Sequence, residues 1–159
     1  MKFFLFSLFS FLLISCNSSS EKSSEELSTE EITFTKEGEL HIYKADNTTE
    51  ALDIEFAETD YETATGLMYR DAMDENQGML FIFSTPSVHS FYMKNTEFPL
   101  DILYITADQK IATIAANAEP FNEKSLSSEV PIQYVLEING GIAEKWNVKV
   151  GDSVSWKRD

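Results

Sequence analysis

Lys94, Asn95, Thr96 and Asp101 are the densest polar group in an otherwise apolar, aromatic-rich stretch, residues 78–105. With Arg70 they offer two cations, an amide, a hydroxyl and a carboxylate, a set able to fork a carboxylate or hold a sugar oxygen at the mouth of an apolar fold. The same residues also have a structural reading. Asn95 and Thr96 would satisfy backbone groups in the turn before Pro99, while Asp101 would pair with Arg70 or Lys94 and pin a helix to a sheet. Asn-Thr close to a proline is ordinary turn chemistry, so the structural reading is favoured. Asp101 is harder to place, because within Leu100-Asp101-Ile102 it either alternates out to solvent or points inward and needs a partner.

A second carboxylate, Glu137, lies between Leu136 and Ile138 just before Asn139-Gly140-Gly141. With Asp101 it would make a pair for general acid and base work, although no spacing in the sequence brings the two together. A role as partner to a backbone amide or to Arg70 is the simpler expectation. Met68, Met79 and Met93, with His89 four residues before Met93, raise a Cu(I) site, since thioethers are soft ligands. On one strand face His89 and Met93 would stand about 13 Å apart, too far for one ion, so the methionines are expected to fill the core. His41 is expected to be exposed. No phosphate loop, zinc-ligand spacing or recognisable Ser-His-Asp context is present, so no metal or cofactor is expected.

These side chains must be positioned by short strands. Leu40 and Ile42, then Leu52, Ile54 and Phe56, alternate with His41, Asp53 and Glu55, the period of a strand with one buried face. Residues 44–49 supply a turn between them. Thr59-Asp60-Tyr61-Glu62 is a capping box opening a short helix, on which Tyr61, Ala64, Thr65 and Met68 would share a face and Gly66 marks close packing. Further strands are expected at 79–83, 90–94, 100–105, 110–117 and 133–138, with a last one ending near Trp156. A turn at 107–109, a polar loop at 119–131 and one helical turn at 142–146 complete the pattern. About eight short strands with two short helices predict a mainly β domain, a sandwich or partly open barrel, over residues 32–159, with Met79, Phe81, Phe83, Phe91 and Met93 in its core.

The chain has 159 residues with 12 basic and 27 acidic side chains. Only Lys2 precedes Cys16, so from Cys16 onward the net charge is −16. Such a surface repels phosphate backbones and anionic lipid headgroups, which argues against nucleic-acid partners and requires another cause for any membrane association. Residues 1–15 carry that cause: a single lysine, a short apolar run and Leu13-Ile14-Ser15 before the sole cysteine. Leu13-Ile14-Ser15-Cys16 resembles the lipobox of bacterial lipoproteins, which implies a cleaved signal peptide and a lipidated Cys16. Acyl chains contributing about 0.8 kcal/mol per buried methylene would hold the protein on a membrane despite its charge. Residues 16–31, rich in Ser and Glu, are expected to form a disordered tether spanning about 20 Å. The expected location is the cell envelope, on the periplasmic face or the cell surface.

Four ordered motifs carry a wider resemblance. Gly66-Leu67-Met68-Tyr69-Arg70, Gly78-Met79-Leu80-Phe81-Ile82-Phe83, Phe91-Tyr92-Met93-Lys94-Asn95-Thr96 with Pro99-Leu100-Asp101, and Val135-Leu136-Glu137-Ile138-Asn139-Gly140-Gly141 are similar to the bacterial and archaeal family called domain of unknown function 192. The resemblance implies a compact, mainly β, often exported domain with no established activity. Tyr92 stands where that family usually has Trp, and Thr63 where an Arg is common. The preferred functional expectation is a lipid-anchored, non-enzymatic module that binds a small polar ligand or an envelope protein through Arg70, Lys94, Asn95, Thr96, Asp101 or Glu137. The alternative is a cell-wall or glycan enzyme using Asp101 or Glu137 as acid or base, with Arg70 or Lys94 steadying an anion. A third reading makes Tyr92, Phe98 and Trp146 an exposed interaction patch.

Overall fold

The computed structural model describes residues 32–159, so the leader, Cys16 and the tether lie outside the described residues. Nine strands and two short helices follow in order: β1 Gly38–Tyr43, β2 Thr49–Ala57, α1 Asp60–Thr65, β3 Gln77–Ser87, β4 Ser90–Phe91, β5 Leu100–Ile105, β6 Ile111–Ala118, β7 Leu126–Ser127, β8 Ile132–Asn139, α2 Ile142–Lys145 and β9 Ser153–Arg158. Seven of them form one sheet in the order β6-β5-β8-β3-β2-β1-β9, while β4 and β7 pair by themselves. The sheet curls until its edges touch. Lys110 and Ser153 form an antiparallel bridge, the Ile111 and Gly151 amides donate to the Asp152 and Ile111 carbonyls, and the Val154 amide donates to Gln109. The expected mainly β fold is therefore present as a half-barrel.

The curl divides the apolar residues in two. Leu40 and Ile42 of β1, Val154 of β9 and Ile105 of β5 come from opposite ends of the sheet order yet share one buried cluster, which places that cluster inside the curl. Ile142 and Ala143 of α2 plug it. The second cluster holds Leu67, Met79, Phe81, Met93, Ile102 and Tyr104, on the outer face. Expected core residues Met79, Phe81 and Met93 are buried there, with Phe83 and Phe91 packed against them.

Most neighbours in the sheet are antiparallel, but β2 and β3 run parallel. A parallel pair cannot be closed by a tight turn, so residues 58–76 must cross over the sheet. That crossover carries α1, whose capping box forms as expected: the Glu62 amide donates to Thr59 Oγ1 at 3.2 Å and the Thr59 amide to Glu62 Oε2 at 2.9 Å. The expected apolar helix face does not. α1 buries no residue, Tyr61 is 77% exposed, and the segment is held down instead by Leu67 and Arg70 just beyond it. The strand expected at 90–94 stops at Phe91, because its partner is only the two-residue β7, formed inside what the sequence presents as a polar loop.

Asp101 turns inward, and its partner is neither Arg70 nor Lys94. It is fully buried on the inner face, where Oδ1 accepts the Asn117 amide at 2.7 Å and Oδ2 the Ala143 amide at 2.8 Å. One carboxylate thus fixes β6 and α2 to β5. Asp101→Asn would replace an acceptor with a donor facing an amide, and is expected to lower stability by about 2–4 kcal/mol in urea denaturation. An unchanged midpoint would show that these two bonds are dispensable.

Candidate functional site

Pairing register decides which side chains meet on the outer face. Glu55 of β2 lies beside Met79 of β3, Met79 beside Glu137 of β8, and Glu137 beside Ile102 of β5, so Glu55 and Glu137 stand in one row separated by a single strand. Their strands are about 10 Å apart. Asp101, one residue from Ile102, points to the opposite face and never joins them. The sequence pattern assigned Glu55 to a polar face; it is 7% exposed. Alternation fails there because β2 is covered on both faces from Ile54 onward.

Arg70, on the crossover, is buried and places Nη1 2.6 Å from Glu55 Oε2. Neither Arg70 Nε nor Glu55 Oε2 is engaged in a well-aligned hydrogen bond, yet at that separation the opposite charges attract whatever the N–H alignment, and the pair counts as formed. Glu55 Oε1 also accepts the Thr35 amide at 2.8 Å. The remaining buried acid besides Asp101, Asp152, accepts the amides of Ala45 at 3.2 Å and Lys149 at 2.7 Å. Glu137 differs from all three. It is 6% exposed, and among the described residues no protein group donates to its carboxyl. Burial pushes its pKa up to about 8, against the opposing pull of the Arg70 charge. The protonated form is favoured well above the ordinary glutamate range.

Glu137 opens on a cleft of about 270 Å³ between α1, the 66–68 segment and residues 89–92. Phe83, Phe91 and Tyr92 supply aromatic surface, while Thr63, Thr65, Ser90 and Thr96 supply hydroxyls. Gly66 forms the close roof with φ 51°, and a Cβ there would stand 3.0 Å from the Phe81 ring and 3.7 Å from Glu137 Oε2. The Phe81 and Phe91 rings meet edge to face with centroids 5.1 Å apart. His89 stacks on Phe83 with centroids 3.7 Å apart, its Nε2 lies 2.8 Å from Ser87 Oγ, and burial lowers its pKa.

Of the six side chains expected from sequence, only Glu137 and Thr96 line this cleft. Arg70 acts on Glu137 by its charge, Asp101 serves the inner face, and Lys94 is exposed outside the lining. Asn95 takes the turn role: with φ 56° it accepts the Tyr69 amide through its carbonyl and donates from Nδ2 to the Tyr69 hydroxyl at 2.8 Å. Met68 lines the cleft, whereas Met79 and Met93 are core, and no group of three or more His, Cys, Asp or Glu among the described residues is placed to hold a metal. The aromatic patch does not assemble, because Phe98 packs on the outer cluster and Trp146 on the inner one, leaving Tyr92 exposed.

The pattern of an uncharacterized ACR family, DUF192, matches residues 41–156. The chain belongs to the DUF192 family. No curated protein matches it at a significant level. Among solved structures, a similar fold occurs in a protein of unknown function from Novosphingobium aromaticivorans DSM 12444, 37% identical, TM-score 0.72, with 74% of this chain and 84% of that chain covered. A protein from Sinorhizobium meliloti 1021 described as a putative transcription regulator is also 37% identical, with TM-score 0.75 and 79% and 97% covered. Both positions at which this chain departs from the expected DUF192 motifs, Thr63 and Tyr92, line the cleft.

Glu137 has a signature in stability. Its folded pKa lies above the ordinary 4.5, so the folded state holds the proton more tightly than the unfolded chain. The stability this contributes is complete below the ordinary value and is lost as pH rises toward about 8. Glu137→Gln keeps the shape of the protonated acid and cannot ionise. Its stability relative to wild type is therefore expected to rise between pH 5 and 8, by at most about 1.4 kcal/mol per pH unit. A constant difference in urea denaturation across that range would contradict the assignment.

Proposed function

We propose that this DUF192 protein is a lipid-anchored binding protein of the cell envelope, whose small ligand enters the outer-face cleft and is recognised by Glu137. The observation that carries the reading is the state of that one side chain. Among the described residues, the three other buried acids accept backbone amides. Glu137 is the exception and it faces open space. The cleft wall mixes aromatic and aliphatic side chains with hydroxyls, His89 and Glu137, so a small molecule there meets both apolar surface and hydrogen-bonding groups. Its volume, about 270 Å³, suits a small molecule.

Two-carboxylate catalysis finds no support in this geometry, because Asp101 is spent on two backbone amides on the other face. The envelope location rests on the apolar leader and the lipobox-like Leu13-Ile14-Ser15-Cys16. Cys16→Ser is expected to move the protein from the membrane pellet to the soluble fraction on cell fractionation; retention in the pellet would remove the anchor from the account.

Ala64 is exposed, sits on α1 and lines the cleft, so a larger side chain there blocks the mouth without entering the core. In a thermal-shift screen of small sugars, amino acids and amines, compounds that stabilise the wild type are expected to lose their effect on Ala64→Trp. Equal shifts in both proteins would place binding elsewhere.

A further inference from the structure

The chemistry of the ligand can be read from what Glu137 lacks. Arg70 is already held at 2.6 Å by Glu55 outside the lining, and among the described residues no Lys or Arg lines the cleft, while the pKa of His89 is lowered by burial. An ionised Glu137 therefore has a partner only if one arrives from solution. Resting on the binding role proposed above, we infer that the cleft takes an organic cation, an ammonium group on a small apolar or aromatic body, with Glu137 as its counter-ion.

Three independent features fit that class. The ammonium brings several N–H donors to a buried carboxyl whose oxygens accept none among the described residues, which replaces a desolvation cost with a charge-assisted bond. Phe91 and Tyr92 line the cleft with aromatic rings not stacked on His89, and a cation over such a ring gains about 0.5–2 kcal/mol as it is desolvated. The strongly acidic chain, at −15 overall, raises the local concentration of cations and lowers that of anions. A neutral ligand would use the carboxylic acid and pack on the rings, but would gain neither the cation–ring attraction nor the field.

Binding then moves one proton. The ammonium meets the neutral acid, the Glu137 O–H bond breaks, its proton passes to solvent, and the carboxylate and ammonium remain as an ion pair. The charged and titratable groups facing Glu137 are Arg70 from the crossover, Glu55 two strands away on β2, Tyr104 from β5 and His89 across the cleft. Burial, with a smaller push from Glu137 itself, raises the Tyr104 pKa, so that this phenol stays neutral. Its hydroxyl donates to the Leu126 carbonyl at 2.6 Å. Glu137 is thus the group whose titration shapes the pH dependence above pH 6.

The test is isothermal titration of the full chain, in a non-ionic detergent, with 2-phenylethylammonium and with its neutral counterpart 2-phenylethanol, between pH 6 and 9. The cation is expected to bind more tightly as pH rises, by up to about tenfold per unit, levelling near pH 8, with close to one proton released at pH 7. Glu137→Gln is expected to weaken the cation at least tenfold and to abolish its pH dependence. Binding of the alcohol as tightly as the cation, with affinity falling above pH 8, would overturn the cation inference and leave the binding role standing. Failure of both probes at millimolar concentration, with wild type and Glu137→Gln indistinguishable, would overturn both.

Discussion

One buried arginine serving two buried glutamates is the constraint on which this molecule depends. Arg70 can neutralise one of them. It is drawn against Glu55, and Glu137 in the same row of the outer face is left with a weakened, longer-range attraction. In a medium that screens poorly, an unpaired charge is far more costly than a proton taken up from water, so Glu137 holds its proton to about pH 8. The imbalance is local and is not repaired by any other described side chain. It turns a row that would otherwise be only structural into a place where a ligand has something to gain.

The topology explains why the imbalance falls where it does. The parallel join of β2 to β3 forces residues 58–76 across the sheet, and that crossover delivers Arg70 to the row and Gly66 to within touching distance of Phe81 and Glu137. Without a side chain at Gly66 the backbone itself forms the roof. α1 buries nothing and forms an exposed wall of the cleft, its start closed by the capping box and its far end held down by buried Leu67. On the inner face Asp101 plays the converse part, spending both oxygens on backbone amides so that the curl and its plug stay in register. Two acids on neighbouring strands thus have opposite fates, set only by which way each points.

Much of this was legible in the sequence. Alternation located β1 and β2, apolar runs between turns marked the strands around residues 100–138, and the Thr59–Glu62 box marked the start of α1. What periodicity could not convey was that the central strands are covered on both faces, because a strand buried twice loses its polar alternation. Glu55 was for that reason assigned to solvent. Of the cleft lining, Glu137 and Thr96 were among the candidates, and Arg70 was expected to pair with Asp101 or Glu137, whereas it pairs with Glu55. The one hint lay in Ile54-Glu55-Phe56-Ala57, where an acid sits in an apolar run on a strand that leads directly into the crossover. Which of two acids an arginine reaches is a matter of register, and register between distant strands is not written in local spacing.

The central claim is that Glu137, without a protein donor, holds its proton in the cleft. Titration of its side-chain carboxyl by 13C NMR in ligand-free protein tests this most directly. The account predicts the chemical shift of a carboxylic acid through neutral pH, with ionisation centred near pH 8. A midpoint at the ordinary glutamate value of 4.5 would mean that the group is hydrated or already partnered, and would contradict the account.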